Sequence, residues 1–439
     1  MRITASAVAL ATGGTLIGAD AEAFGLSFDS RDLRAGQAFV AIVDSRDGHE
    51  FLTDAVSKGA PFAVVQRGKA HHALPCVEVD NSVTALAAVG SMCREQMVPT
   101  VADRVVGVTG SVGKTSTKDL ICAVLRSSFQ AVHGPEKSLN NDLGVPVTII
   151  DAPDQCDALV LEMGMRGLGE ISRLCDIARP VIGVITEVGD AHSERIGGID
   201  GVVQAKSELV RALPAHGVAI VNADSVYAMQ TIRNCVARTL TFGASNSADV
   251  RFAIASAAND GTSTATFYFQ GDSCEGYIPL PGAHMVSNAA AAVAVGVTLG
   301  IPLRTCVAAL SNVEQAAHRM VWVDGVRGLR ILDDSYNANV TSMTAALHTL
   351  ARIPATKRIA VLGAMAEVVD PVSSHAQIAR LCEELHIELL SLETDLYGTG
   401  SLSLGEVVFH LEEHGEGTII LAKGSRVAAV ERIVQAVAV

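Results

Sequence analysis

The segment Val105-Val106-Gly107-Val108-Thr109-Gly110-Ser111-Val112-Gly113-Lys114-Thr115-Ser116 has the residue types, in the right order, for holding phosphate: an apolar strand, a glycine turn, then a lysine and hydroxyls opening a helix. Gly110 and Gly113 let backbone N–H groups approach phosphate oxygens, Lys114 supplies a point charge for the β- and γ-phosphates, and Thr115 can ligate magnesium. The implied chemistry is nucleoside triphosphate binding by the stretch Thr109 to Ser116. Val108 stands where the commonest form of this loop has its first glycine, so the match is T-G-x-x-G-K-T. A glycine turn that binds nothing is the competing reading until other residues of a site accompany it.

Glu162 closes the apolar run 158–161 and precedes Met163-Gly164. Its carboxylate therefore lies at the carboxyl edge of a strand, where open α/β sheets bind ligands, and magnesium is its expected partner. His192 follows the apolar run 181–186, and Lys206 lies in the helix-like Gln204-Ala205-Lys206-Ser207-Glu208. Taken singly, a loop histidine is more often hydrogen-bonded than a ligand, and a helical lysine is more often solvated.

Taken together and in order, T-G-S-V-G-K-T-S, Ser138-Leu139-Asn140-Asn141-Asp142-Leu143-Gly144-Val145-Pro146, Leu161-Glu162-Met163-Gly164, Ala191-His192 and Ala205-Lys206-Ser207-Glu208 resemble the Mur ligases. The resemblance implies an ATP-dependent, amide-bond-forming enzyme in which Lys114, His192 and Lys206 are catalytic. It also implies that Lys206 reacts with carbon dioxide to become a carbamate, and that Thr115, Glu162, His192 and carbamylated Lys206 hold Mg2+. Two positions depart from the pattern: Glu187 replaces a common Asn and Ser193 a frequent Leu. Glu187 reads as an exposed loop carboxylate or as a further acid beside the metals.

Further along, Leu332-Asp333-Asp334-Ser335-Tyr336-Asn337-Ala338-Asn339 resembles a segment of the family members that add D-alanyl-D-alanine to UDP-N-acetylmuramoyl-tripeptide, and makes these two compounds the expected partners. By the same resemblance Asp334, Arg319 and Asn288, in Gly282-Ala283-His284-Met285-Val286-Ser287-Asn288, join the nucleotide-binding set. Asn140, Asn141, Tyr336 and Asn337 meet substrate. Ser30, Arg31, Asp47, Gly48 and His49 belong to a module that holds the UDP-sugar. Asp44, Met285, His318, Val340 and Ala364 depart from the usual residues. One alternative is the related ligase that adds the third amino acid, which would carry a D-N-P-R-like segment absent here. The other is a nonenzymatic P-loop nucleotide switch, which would leave His192, Lys206 and the N-terminal motifs without a role.

The elements that must position these residues are α/β throughout. Apolar runs at 38–43, 62–66 and 76–79, broken by Gly, Asp and Pro, indicate a small module over residues 1–80, followed by a helix at 83–97. Strand-like runs at 105–109, 158–162, 181–186 and 218–222 alternate with helix-like runs at 115–127, 170–178 and 202–213, which predicts a parallel sheet in a central domain, 81–311. An alternating run at 264–270 suggests an antiparallel appendage, and a buried helix starts near Ser287. Strands at 330–334, 358–363 and 418–422, with helices at 341–352, 376–385 and 426–438, predict a Rossmann-like C-terminal domain, 312–439. The three expected parts are thus a UDP-binding module, a P-loop ATPase-like domain and a Rossmann-like domain, the last closing over the second so that Asp334 and Arg319 reach the phosphates.

Composition sets the outer limits. With 49% hydrophobic and 18% charged residues the chain can bury sizeable cores, so disorder is not indicated. Thirty-three basic against 47 acidic residues give a net charge of −14, which opposes nonspecific binding to nucleic acid or an anionic membrane. Nine cysteines without a C-x-x-C pair suggest a reducing compartment and no zinc site. A secretory signal is disfavoured because Gly13, Gly14, Asp20 and Glu22 interrupt the apolar start. A cytoplasmic monomer, without integral membrane association, is the expectation.

Overall fold

The computed structural model describes residues 1–189 and 196–439. His192, given a metal-binding and catalytic role above, lies outside the described residues.

Three sheets carry the fold. The first runs Thr15–Ile17, Cys76–Val79, Ala63–Gln66, Ala38–Val40, Leu26–Ser27 and is parallel except for its first strand. The second has nine strands. Val132–His133, Ala158–Glu162, Val105–Thr109, Ile182–Ile185, Val218–Asn222, Arg238–Gly243 and Val250–Ala257 are parallel, and Ser263–Phe269 and Asp272–Ile278 continue the sheet antiparallel. The expected antiparallel appendage therefore extends the central sheet rather than standing beside it. The third sheet orders Val321–Asp324, Arg330–Asp333, Thr418–Lys423, Lys357–Leu362, Glu388–Ser391, with only the first strand antiparallel. Among the described residues no helix is long and apolar enough to cross a membrane.

The central strands are apolar along their whole length because helices cover both faces; all five residues of Val105–Thr109 are buried. The alanine-rich helix Ala283–Thr298 lies beneath them, apolar nearly all round, and packs on Lys114–Arg126. It begins before Ser287, with Gly282 at its N-cap. On the other face, Ser82–Gln96, capped by the Asn81 side chain, packs on Gly144–Ile150 and Glu170–Ala178. Its apolar side joins one core that holds Leu26, Val64 and Val77 from the first sheet and Val8 from the helix Ala5–Thr12 together with Leu159 and Leu161 from the second sheet. A second continuous core joins Val106 and Val184 to Leu332, Leu347 and Leu421 of the third sheet's layer.

The helix expected over 426–438 is broken. A 3-10 turn, Arg426–Ala428, is followed by left-handed Ala429 (φ 47°) before the helix Glu431–Val437. Just before the break, Gly363 and Gly424 approach so closely that a Cβ on Gly424 would stand 2.4 Å from Val430 Cγ2 and 3.1 Å from the Gly363 Cα.

The contact between Ser82–Gln96 and Gly144–Ile150 is a test of this packing. A Cβ on Gly90 would lie 2.9 Å from Pro146 Cβ and 3.0 Å from its Cα, which is backbone and cannot swing aside. Gly90→Val is expected to destabilise the chain by about 1–3 kcal/mol, read as a lower midpoint of chemical or thermal unfolding.

Candidate active site

The site begins where the strand Val105–Thr109 ends. Gly110 passes so near Thr186 that a Cβ would sit 1.9 Å from its Oγ1. Gly113 is left-handed (φ 82°) and forms the N-cap of Lys114–Arg126 with no side-chain cap. The first N–H groups of that helix are consequently left to an anion, and the helix dipole favours one there. The turn is fixed from outside. The Ser111 N–H donates to Glu187 O (2.7 Å), Ser111 Oγ to Gly189 O (2.8 Å) and Thr186 Oγ1 to Val112 O (2.7 Å).

Register brings the next group in. Glu162 pairs with Val108 in the neighbouring strand, and its carboxylate, 1% exposed, accepts hydrogen bonds from Thr115 Oγ1 (2.7 Å) and Asn140 Nδ2 (2.8 Å). Ser138 Oγ stands 3.0 Å from Thr115 Oγ1, on a loop held by Lys118 Nζ donating to Pro135 O (2.6 Å). A carboxylate has about four acceptor positions, so Glu162 keeps capacity beyond these two bonds. With Thr115 it offers the hard oxygens a magnesium ion requires.

Two lysines complete the buried charge. Lys114 Nζ donates to Gly110 O at 2.8 Å, and burial lowers its pKa. Lys206, on the helix Gly198–Arg211, is 3% exposed and has no hydrogen-bond partner among the described residues. Burial, and secondarily the charge on Lys114, hold its amine well below the usual lysine range.

The third sheet supplies the opposite wall. Arg319 Nη2 donates to Ser138 Oγ (3.3 Å), and its guanidinium lies 4.1 Å from the centre of the Tyr336 ring. Two left-handed residues, His318 (φ 60°) and Met320 (φ 58°), flank Arg319. The place where glycine is usual is thus a left-handed position, and here His318 occupies it with its Nδ1 bonded to Asp333 at 2.7 Å. Asp334 pairs with Lys423 at 2.6 Å, and Lys423 also donates to Asn337 O at 2.9 Å. The two walls enclose one cavity of about 760 Å³, whose lining includes Gly110 to Ser116, Ser138, Asn140, Asn141, Glu162, Lys206, Asn288, Arg319, Asp334, Tyr336, Asn337, Glu367, Lys423 and Arg426.

Residues 108–296 match the Mur ligase middle domain, and residues 318–438 match the Mur ligase, glutamate ligase domain. The chain belongs to the Mur ligase family. It is 32% identical to the UDP-N-acetylmuramoyl-tripeptide--D-alanyl-D-alanine ligase of Escherichia coli (strain K12), over 96% of this chain and 95% of that protein. The crystal structure I of MurF from Acinetobacter baumannii superposes with a TM-score of 0.88 at 27% identity, covering 99% of this chain and 98% of that one. The MurF ligase from Thermotoga maritima in complex with ADP gives 0.79 at 26% identity, covering 94% and 96%.

The cavity of this Mur ligase does not gather every residue singled out in the sequence. Ser30, Arg31, Asp47, Gly48 and His49 do not line it. Ser30 and Arg31 follow the carboxyl end of the strand Leu26–Ser27, and Asp47 caps the 3-10 turn Gly48–Phe51 that follows the adjacent parallel strand Ala38–Val40. Lys58 Nζ donates to Ser30 O (2.7 Å) and Arg31 O (2.8 Å), while the Arg31 guanidinium holds Asp29 down to about 2. His49 accepts the Gln66 N–H on Nε2 (3.0 Å) and donates from Nδ1 to Asp47, bonds that tie the loop to a strand. Asn141 Oδ1 accepts the Gly144 N–H (2.9 Å), a helix-capping role beside its place in the cavity wall. Thr109 Oγ1 is buried without a hydrogen-bond partner among the described residues.

Glu187 is not an exposed loop carboxylate. It is half-buried, lines the cavity, and accepts hydrogen bonds from Ser225 Oγ (2.6 Å) and the Val188 N–H (3.1 Å); burial raises its pKa. Sequence reasoning gave no specific role to Ser138, Glu367, Lys423 or Arg426, although Ser138 opens a segment that resembles the family. Lys423 had a residue-level signal, a lone cation ending the apolar run Thr418–Lys423.

Lys206 gives a pH test. Its folded pKa is depressed, so the native state binds fewer protons than the unfolded chain between that value and the unfolded 10.5, and stability rises with pH across this window. The destabilisation is full below the folded pKa and vanishes above the unfolded one. Lys206→Met in carbon dioxide-free buffer is therefore expected to unfold several degrees above wild type near neutral pH, with the gap narrowing toward pH 10.5. Thermal unfolding of both proteins across this range checks it, and a gap that widens with pH contradicts it.

Proposed function

We propose that this chain uses ATP and Mg2+ to join the amino group of D-alanyl-D-alanine to the terminal carboxylate of UDP-N-acetylmuramoyl-tripeptide, in the cytoplasm. One observation carries the reading: a phosphate loop on the central sheet faces Arg319, Asp334 and Tyr336 of the third sheet across a single cavity, in a chain 32% identical, nearly end to end, to a ligase named for these two substrates. The nine cysteines, none in a disulfide, support a reducing compartment.

The tripeptide carboxylate attacks the γ-phosphorus of ATP, ADP leaves, and an acyl phosphate remains. The free amine of D-alanyl-D-alanine adds to its carbonyl carbon, and the tetrahedral intermediate expels phosphate as the amide forms and the amine loses its proton. Gly110 to Ser116 hold the ATP phosphates, with Lys114 following the transferred group and Arg319 neutralising charge from the opposite wall. Asn288 and Asp334 bind the rest of the nucleotide. Asn140, Asn141, Tyr336 and Asn337 position the acceptors, and Ser30, Arg31, Asp47, Gly48 and His49 hold the UDP-sugar.

Thr115 and Glu162 would hold one magnesium ion; His192 and Lys206, as its carbamate, would hold another. The metals supply Lewis-acid charge at the phosphoryl oxygens. A buried Lys206 with a depressed pKa, and with no hydrogen-bond partner among the described residues, suits carbamate formation, which requires the neutral amine.

Phosphate release should require ATP, the UDP-tripeptide and D-alanyl-D-alanine together; release independent of the dipeptide contradicts the proposal. Lys114→Ala should lower kcat by at least about 1000-fold, in line with losing a transition-state charge contact. Lys206→Ala should be similarly inactive but partly rescued by a short free carboxylate, which should not help Lys114→Ala. Full activity in Lys206→Ala removes the carbamate and leaves the phosphate site standing.

A further inference from the structure

Away from the cavity, one group of side chains is arranged as metal ligands. Glu388, His410 and His414 present ligand atoms all within 4.8 Å of one another, and no other His/Cys/Asp/Glu group does so among the described residues. Glu388 opens the edge strand Glu388–Ser391 beside Lys357–Leu362. The other end of Lys357–Leu362 leads to Glu367 in the cavity wall, so the group sits at the amino end of the sheet, remote from the chemistry. His410 lies in the last turn of Leu404–Glu412, and His414 follows one turn later, its N–H donating to Leu411 O (3.1 Å). Four residues apart, the two imidazoles share a face, ring centres 5.2 Å apart at 73°.

The contacts already position a cation. Lys357 Nζ stands 2.7 Å from Glu388 Oε2 and 3.1 Å from His414 Nε2, so the His414 nitrogen offers its lone pair to an ammonium. His410 Nε2 is 2.7 Å from the other carboxylate oxygen, and its Nδ1 faces Glu413 Oε2 at 4.0 Å. A carboxylate beyond the second ring nitrogen is the arrangement that orients metal-bound imidazoles.

We infer that Glu388, His410 and His414 form a structural site for a late transition-metal dication such as Zn2+, which displaces the Lys357 ammonium and clamps the edge strand to the following helix. Two imidazole nitrogens and one carboxylate oxygen suit Zn2+, Co2+ or Ni2+ and do not suit Mg2+, which selects oxygen ligands. Three protein ligands leave a fourth position for water. The site is separate from the proposed magnesium sites, and its test does not depend on turnover.

The full chain, stripped of metal and held in excess Mg2+, would be titrated with Zn2+ by equilibrium dialysis and with Co2+ by visible absorption. Wild type should bind one ion more than His410→Ala/His414→Ala, or bind it on the order of 100-fold more tightly, with a four- or five-coordinate cobalt spectrum free of thiolate charge transfer. Lys357→Met, which keeps all three ligands and removes the competing cation, should bind more tightly than wild type. Equal binding by wild type and the double variant, a thiolate signature, or unchanged or weaker binding in Lys357→Met each overturns the assignment. The Lys357→Met result stands even if the double variant does not fold.

Discussion

Glu162 is buried at the carboxyl end of its strand, with one oxygen on the Thr115 hydroxyl and the other on the Asn140 amide, and the rest of the site is arranged around it. A carboxylate so placed cannot be left without partners, because the interior makes an uncompensated charge costly. Strand register supplies them. Pairing with Val108 sets Glu162 against the strand that feeds the phosphate loop, and a one-residue slip would turn its side chain to the other face of the sheet. Parallel strands end at a common edge, so the loop, Glu162 and Lys206 accumulate there and the opposite edge stays free of this chemistry.

Charge inside the cavity is mixed: the carboxylates of Asp142, Glu162, Glu170, Glu187, Asp224, Asp334 and Glu367 line it together with a group of cations. The chain carries a net −14, yet Lys114, Lys206, Arg319, Lys423 and Arg426 converge on one space. Burial lowers the pKa of both Lys114 and Lys206; the charge on Arg319 adds to this at Lys114, where Glu162 opposes it, and the charge on Lys114 adds to it at Lys206. In the proposed reaction a bound phosphate would stabilise Lys114 in its charged form, while Lys206, which has no hydrogen-bond partner among the described residues, would stay available for reaction. Two ammonium groups with one fate would serve neither purpose.

The third sheet has two distinct ends. Its carboxyl edge presents Asp334, Glu367 and Lys423 to the central domain, and its amino edge holds Lys357, Glu388, His410 and His414 in a compact polar cluster. Both ends hang on the strand Lys357–Leu362. Because Leu332, Leu347 and Leu421 share a continuous core with Val106 and Val184, the wall that carries Arg319 is packed against the central domain.

The sequence by itself determined the phosphate loop, the strand-ending Glu162, the alternation that builds the second and third sheets, and the family, since these are properties of local order and periodicity. Its boundaries failed where long-range packing enters: the 426–438 helix is interrupted at left-handed Ala429, next to the close approach of Gly363 and Gly424, and Glu187 is held in the cavity wall by Ser225, 38 residues away. The strand Glu388–Ser391 is short and mixed, without a periodic signal, and the helix Leu404–Glu412, opened by a capping box of Ser403 and Glu406, was not predicted. Cysteine spacing indicated no metal beyond the active site, whereas Glu388 and His410, 22 residues apart, become neighbours only when the edge strand docks under its helix. Tertiary structure alone decided which polar groups lose water and which partners they meet, because burial and charge pairing depend on elements distant in the chain.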